Sequence, residues 1–258
     1  MMENRHILVL CAYKESKYLE DCIVSLKNQT LEAPIIISTS TPNEHILGLA
    51  EKYGVEVMAH STGNMAQDNF NYALSNVDAQ YITLCHQDDI YEEDYVKKIQ
   101  ENTHEKGDII LFTDYYEIRN DNKVFTNKLL KIKRFMNVGF KISKRSRFIR
   151  NRVLSMGNPI CCPSVTFCMN ACKGFEFSKE YKNSFDWEAW CRLAGTKGRF
   201  VYISSKLVGH RIHAESGTTE NIRDNSRYND DLKIYQKYWP KWIAEKLMKK
   251  YAKGMDSN

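Results

Sequence analysis

Two adjacent carboxylates, Asp88 and Asp89, follow an apolar run over residues 80–85. Carboxylates at the end of a buried strand repel each other, and burying them uncompensated is costly. A divalent cation relieves that repulsion, and hard oxygen donors suit Mg²⁺ or Mn²⁺. The same pair, ahead of Glu92, Glu93 and Asp94, also suits a helix N-terminus, where the dipole favours acids. The dipeptide alone leaves both readings open. A further carboxylate, Asp186, opens a helical stretch over residues 186–194 with Trp187, Trp190 and Leu193 on its packing side. A carboxylate so placed can act as a general base or simply cap the helix. His210, Arg211 and His213 form a third polar group. Histidine can complete a metal site and arginine can hold phosphate, whereas a polar loop after a strand explains the same residues more plainly. Of the eight cysteines, Cys161, Cys162, Cys168 and Cys172 cluster without any CxxC pair, which predicts buried thiols rather than a zinc site.

Elements of a recognisable rhythm must position these groups. Apolar runs at residues 6–11, 34–38, 55–58, 80–85 and 108–112 read as strands, and helical patterns begin near Ser16, over 43–53 and over 65–75. Gly54 suits the end of the second helix. Strands alternating with helices predict an α/β fold with a mainly parallel sheet, whose ligands bind beyond the carboxyl ends of the strands. The loops 12–15, 39–42 and 86–89 should therefore meet at one rim. A late strand is expected at 200–203 and terminal helices over 225–249, interrupted by Pro240. The expected organisation is a nucleotide-binding half over 1–115, an acceptor and catalytic half over 116–220, and a helical extension over 221–258.

The chain has 258 residues, 43% hydrophobic and 27% charged, with 15 Tyr, 11 Phe and 4 Trp. Such a composition excludes general disorder, and the length supports one large domain or one domain with a small appendage. No run approaches the ~20 apolar residues of a membrane span. The first residues lack the basic start and apolar core of a signal peptide, which predicts a cytoplasmic protein with reduced thiols. Charge is uneven. Residues 122–175 hold 12 Lys and Arg and no acid, whereas the remainder carries a net −7. A basic segment on an acidic body points to phosphate, nucleic acid or an anionic membrane. Ile142, Phe148, Ile149 and Val153 alternate there with Lys144, Arg145, Arg147, Arg150 and Arg152. That spacing predicts an amphipathic helix that binds a lipid-linked diphosphate acceptor or an anionic membrane, or a solvated helix that offsets the acidic body.

The order of these features resembles the family 2 glycosyltransferases, nucleotide-sugar enzymes of the GT-A fold, over nearly all of residues 6–220. Residues 8–15, ending Ala12-Tyr13-Lys14-Glu15, and residues 18–30 are similar to the family's opening strand, loop and helix. Asp88-Asp89 stands at its acidic metal motif. Lys173-Gly174-Phe175, the stretch from Asp186 to Leu193, and His210-Arg211-Ile212-His213 with Ser216 are similar to its later motifs. The resemblance implies a GT-A-like three-layer sandwich with a helical, basic C-terminal half. It implies donor contacts from Ala12, Tyr13, Glu15, Thr39, Asp68, Asp88 and Arg211, metal ligation by Asp89 and His213, and Asp186 as base. Mn²⁺ or Mg²⁺ would oppose the charge of the diphosphate leaving group, and a single displacement would invert the anomeric centre. The implied partners are a nucleotide sugar and a saccharide or lipid-linked saccharide acceptor of a bacterial surface polysaccharide; the basic segment, not the resemblance, points to peripheral contact with an anionic membrane, and no nucleic acid is expected. Departures are Ser38-Thr39-Ser40 where an aspartate pair is usual, His86 at the first position of the metal motif, Phe185 before Asp186, and Gln67-Asp68-Asn69 where an arginine is common. Two other classes remain. A nucleotidyltransferase would want a Gly-rich, Lys-bearing loop after the first strand. A nucleic-acid or anion-binding protein would use the basic segment and show salt-dependent binding to generic DNA.

Overall fold

The computed structural model describes residues 6–104, 107–213 and 226–255. Its centre is β1 (His6–Ala12), buried along its whole length because apolar side chains occupy both faces. Beyond it come α1 (Leu19–Lys27), β2 (Ile35–Thr39), α2 (Glu44–Tyr53), β3 (Glu56–Ala59), α3 (Ala66–Asn76) and β4 (Tyr81–His86). Local chemistry sets the α2 boundaries. Asn43 accepts the Ile46 N–H at 2.9 Å, and Gly54 turns left-handed at φ 60°. Ser16 does not cap α1 as expected. Its hydroxyl accepts the Tyr18 N–H at 3.3 Å, and the helix begins one step later.

The second half consists of β5 (Ile90–Tyr91), α4 (Tyr95–Asn102), β6 (Asp108–Arg119), β7 (Asn122–Val124), α5 (Lys128–Ile142), α6 (Arg147–Leu154), β8 (Val165–Cys168), α7 (Phe185–Ala194), β9 (Arg199–Ile212), α8 (Ser226–Gln236) and α9 (Lys241–Met255). The sheet order is β3-β2-β1-β4-β8-β6-β9-β5, with β7 on β6. The first four strands are parallel, and β6 runs parallel to β9. Between these blocks β8 lies antiparallel to both β4 and β6, so the run expected at 108–112 does not extend the first parallel block directly. That strand also continues to Arg119, because Asp114 and Glu117 are buried in it and paired. Arg134 lies 2.6 Å from Asp114, and Asn127 and Arg119 each donate to Glu117 at 2.8 Å. The late strand likewise reaches from Arg199 to Ile212.

Apolar side chains fill both faces of the sheet. One core gathers Phe70, Phe112, Phe140, Phe167, Trp187 and Trp190 under α3, α5 and α7. The other gathers Leu8, Leu10, Ile23, Ile46 and Ile99 under α1, α2 and α4. The result is the expected three-layer α/β arrangement with a mainly parallel sheet. Among the described residues no helix is long and apolar enough to cross a membrane. All eight cysteines are free, and six are buried.

The basic segment departs from the expected single amphipathic helix. α5 ends at Ile142, and Ser146 starts a new helix by accepting the Ile149 N–H at 3.2 Å. Arg150, expected on the polar face, is fully buried. Its Nη1 and Nη2 donate to the Gly198 and Thr196 carbonyls at 2.9 and 2.7 Å, and it stacks 4.9 Å from the Phe200 ring. Burial pulls its pKa down to about 10, so it stays charged at neutral pH. Arg150→Ala should cost about 3 kcal/mol, through two orphaned carbonyls and a cavity. That corresponds to a drop in unfolding midpoint of about 6–12 °C. The exposed Arg147→Ala should cost less than about 0.5 kcal/mol. Thermal unfolding of both variants checks the contrast.

Candidate active site

The parallel register sets Ala12 beside Thr39 and Cys11 beside His86, so three strand ends share one rim. Their loops are stitched together. The Tyr13 N–H donates to Gln87 Oε1 at 2.9 Å, and Gln87 Nε2 donates back to the Tyr13 carbonyl at 3.0 Å. Lys14 adopts φ 53°, and its N–H donates to Thr41 Oγ1 at 2.6 Å. Asn69 of α3 donates to the Ala12 and Ser38 carbonyls at 3.3 and 3.0 Å. The expected convergence of loops 12–15, 39–42 and 86–89 is thus present. Thr39 is buried, and its hydroxyl accepts the Thr41 N–H at 3.1 Å. Glu15 is exposed in the loop after β1. Asp68 is buried in the first turn of α3, accepts the Met65 N–H at 3.0 Å and pairs with Lys179. Its carboxylate closes the start of its own helix.

Asp88 and Asp89 sit in the turn between β4 and β5, well before α4, whose N-cap position is Asp94. Helix capping therefore does not account for them. Asp89 is fully buried. Its Oδ1 accepts the Arg211 N–H at 2.9 Å and lies 3.1 Å from His210 Nδ1, with His86 Nδ1 at 3.9 Å from Oδ2. Asp88 Oδ2 lies 2.9 Å from His213 Nε2. The structure thus sets His213 against Asp88, not against Asp89 with which it was grouped as a metal ligand. One ligand atom from each of His86, Asp88 and Asp89 lies within 4.8 Å of the others. His86 Nε2 is buried with no hydrogen-bond partner.

Electrostatics separates these groups. Burial alone would raise the Asp88 carboxyl, but the His213 hydrogen bond and the nearby histidines outweigh it and hold it below the usual range. Burial would lower His210, yet the Asp89 carboxylate outweighs that and raises it. At His86 burial prevails, and its pKa is lowered.

His210 and Arg211 lie on β9 rather than on a loop, and His213 follows its end. Ser216 lies outside the described residues. The Arg211 side chain is turned into the protein. Its Nε donates to the Asp88 carbonyl at 3.0 Å, Nη1 to Asp121 at 2.9 Å, and the guanidinium lies 4.2 Å from the Tyr18 ring centre. The phosphate contact expected of it finds these donors already engaged.

Asp186 stands in the first turn of α7. Oδ1 accepts the Trp187 N–H at 2.7 Å, and Oδ2 accepts from Asn158 Nδ2 at 2.8 Å. Burial nevertheless raises its pKa above the usual carboxylate value. The Phe70 ring links it to the acidic cluster, lying 5.3 Å from the His86 ring and 5.9 Å from the Phe185 ring. Phe185, a departure noted in the sequence, is thus a packing residue between Phe70 and Phe177. From the sequence, His86 stands at the first position of the metal motif and His210 in a polar group able to complete a metal site, but neither is assigned as a ligand and Gln87 has no role. His86 and Gln87 adjoin the carboxylate pair in sequence and His210 adjoins Arg211, but only the fold shows that the two imidazoles face Asp89 while Gln87 fastens the turn to Tyr13.

The chain matches the model of glycosyl transferase family 2 over residues 7–173. No curated protein matches it. Among solved structures it is similar to S. aureus TarS residues 1–349 in complex with UDP-GlcNAc, at 14% identity and TM-score 0.65, covering 95% of this chain and 70% of that one. It is similar to the mannosyltransferase PcManGT from Pyrobaculum calidifontis in complex with GDP-Man and Mn²⁺, at 11% identity and TM-score 0.65, covering 95% and 69%. It is also similar to glucosyl-3-phosphoglycerate synthase from Mycobacterium tuberculosis with Mn²⁺, UDP and glucosyl-3-phosphoglycerate, at 12% identity and TM-score 0.55, covering 87% and 77%. The chain spans 42% of the longer TarS structure. At such identities the likeness shows a shared fold, that of the GT-A glycosyltransferases. Since the family match runs from the first strand to beyond β8, the chain belongs to glycosyl transferase family 2.

Proposed function

We propose that the protein transfers a sugar from a nucleoside-diphosphate sugar to an acceptor hydroxyl with inversion at the anomeric carbon. The observation that carries this reading is the meeting of His86, Asp88 and Asp89 at the strand-end rim, one aromatic ring from the helix that bears Asp186. Family membership and the nucleotide sugars in the structures of TarS and PcManGT support the donor class. The acceptor in this reading is a saccharide or lipid-linked saccharide of a bacterial surface polymer.

The cluster suits Mn²⁺ or Mg²⁺, since two carboxylates and an unpartnered imidazole nitrogen supply hard and borderline donors. Asp88, Asp89 and His86 would hold the ion, with His213 beside Asp88. When bound, such an ion supplies positive charge against the departing diphosphate. Ala12, Tyr13, Glu15, Thr39 and Asp68 are the proposed donor wall, with Asp88 toward the ribose. Arg211 takes a positioning role, since its backbone N–H and guanidinium fix Asp89 and the Asp88 carbonyl. On the acceptor side, Asn158 and the Trp187 N–H orient both oxygens of Asp186. As the acceptor oxygen bonds to the anomeric carbon, the bond to the diphosphate oxygen breaks with its electron pair. The hydroxyl proton passes to Asp186. A raised pKa makes that carboxylate a stronger base than an ordinary aspartate. A nucleotidyltransferase is not favoured, because the loop after β1 is Ala12-Tyr13-Lys14-Glu15, without the phosphate-binding glycines.

Calorimetry of UDP and GDP binding with and without Mn²⁺ tests the donor side. Asp88→Asn should remove most of the Mn²⁺-dependent affinity while the unfolding midpoint stays within about 4 °C. Unchanged metal dependence in the variant would refute the cluster's assignment. Asp186→Asn tests the acceptor side. Transfer should fall by about 10²–10⁴ while UDP or GDP affinity stays the same. Because the Asp186 pKa is raised, the active deprotonated form is lost as pH falls through a value above the ordinary ~3.9. The wild-type kcat/KM profile should therefore show an acid limb above that value, and the variant should lack it.

A further inference from the structure

We propose that α5 and the start of α6 dock the protein on an anionic lipid bilayer, with a ridge of apolar side chains in the headgroup–acyl boundary and flanking lysines and arginines at the phosphates. The surface lies outside the sugar-transfer site and does not depend on that reading.

α5 has two apolar faces. One is buried and sends Leu130 and Phe140 into the protein. The other is open to solvent. Phe135 is 80% exposed and Ile142 75%, with Ile132 at 47% and Val138 at 44%. These four are spaced by three, three and four residues, so they form one ridge along a single face. Phe148, 69% exposed, continues the exposed apolar residues on α6. Gly139 lets the two helices approach, since a Cβ there would meet Val153 Cγ2 at 2.6 Å. Contiguous large apolar side chains on a charged surface mark an interaction site.

Charge selects the partner. Lys128, Lys131, Lys141, Arg145 and Arg147 are exposed, and among the described residues none of them pairs with a carboxylate. No acidic residue occurs from 122 to 175. A polyanion such as nucleic acid would satisfy the cations but offers no apolar medium for Phe135 and Ile142. A neutral apolar surface would satisfy the ridge but not the cations. An anionic bilayer satisfies both, and a helix of 15 residues, about 22 Å long, suits a position in the interface plane. α5 is already fixed to the sheet by Arg134 on Asp114 at 2.6 Å and Lys133 on the Tyr115 hydroxyl at 3.1 Å. Docking therefore requires no unfolding of the helix.

The test is co-sedimentation of the full chain with vesicles of phosphatidylcholine alone and of phosphatidylcholine mixed with phosphatidylglycerol, at low and high salt. Binding is expected to the anionic vesicles only and to weaken with salt. The double variant Phe135→Ser, Ile142→Ser should lower the partition coefficient at least about tenfold. Lys128→Gln, Lys131→Gln, Lys141→Gln should weaken binding and flatten its salt dependence. Phe135→Trp should show a blue-shifted emission on anionic vesicles as the indole leaves water. An unchanged melting curve for each variant confirms that the fold is intact. The proposal is overturned if the wild type ignores anionic vesicles or if the serine variant binds as well as the wild type. It is also overturned if sedimentation velocity shows a dimer that the serine variant abolishes, since the ridge would then join two copies of the chain.

Discussion

A carboxylate with no access to water must be answered by donors, and at Asp89 the answer comes from the far end of β9. The Arg211 backbone N–H and the His210 ring meet it, so the turn after β4 and the last strand of the sheet become one unit. Much of the rim follows from that lock. With Asp89 turned inward, Asp88 is the carboxylate that meets His213 beyond the end of β9. The Arg211 guanidinium then closes over the Asp88 carbonyl and stacks on Tyr18, which draws α1 to the same corner. On the other side Gln87 binds the Tyr13 backbone and fastens the turn to β1.

The two carboxylates central to the proposed reading, Asp88 and Asp186, differ in the direction their surroundings impose. Histidines around Asp88 stabilise its charge against burial, whereas at Asp186 burial outweighs the pull of Arg227 and raises it. In the proposed reading the first stays ionised beside a cation and the second takes up a proton, a division of roles that environments pushing two carboxyls apart commonly mark. The Phe70 ring lies between the two regions and keeps their separation fixed by packing rather than by a polar link.

Much of this was legible in the sequence, for identifiable reasons. β1, β2 and β4 are short apolar runs with polar residues at their carboxyl ends, so the rim and its carboxylate pair could be located before the fold. The Asn43 and Gly54 boundaries of α2 were equally legible, because capping is local chemistry. What failed was non-local. Asp114 and Glu117 break the apolar pattern of β6, and only their partners Arg134, Arg119 and Asn127 explain their burial. The place of β8 between β4 and β6 follows from pairing across the sheet, which periodicity does not report. Arg150 reads as a surface cation in a basic run, yet the Gly198 and Thr196 carbonyls draw it inside. Arg211 kept its place in the motif but not the direction expected of its side chain.

The distance along the chain between Asp89 and its backbone donor has a consequence for biogenesis. They are 122 residues apart. A ribosome adding roughly 5–20 residues per second needs about 6–24 s to make the intervening chain. For that interval β1 to β4 can pair among themselves, but the turn bearing Asp89 has no donor and must remain hydrated. The nascent N-terminal half therefore waits with its rim open, and the last long strand seals it only after emerging from the exit tunnel. Completion of the rim is a late, long-range event, and shortened translation products ending before β9 would expose this unsealed edge to the cell's quality control.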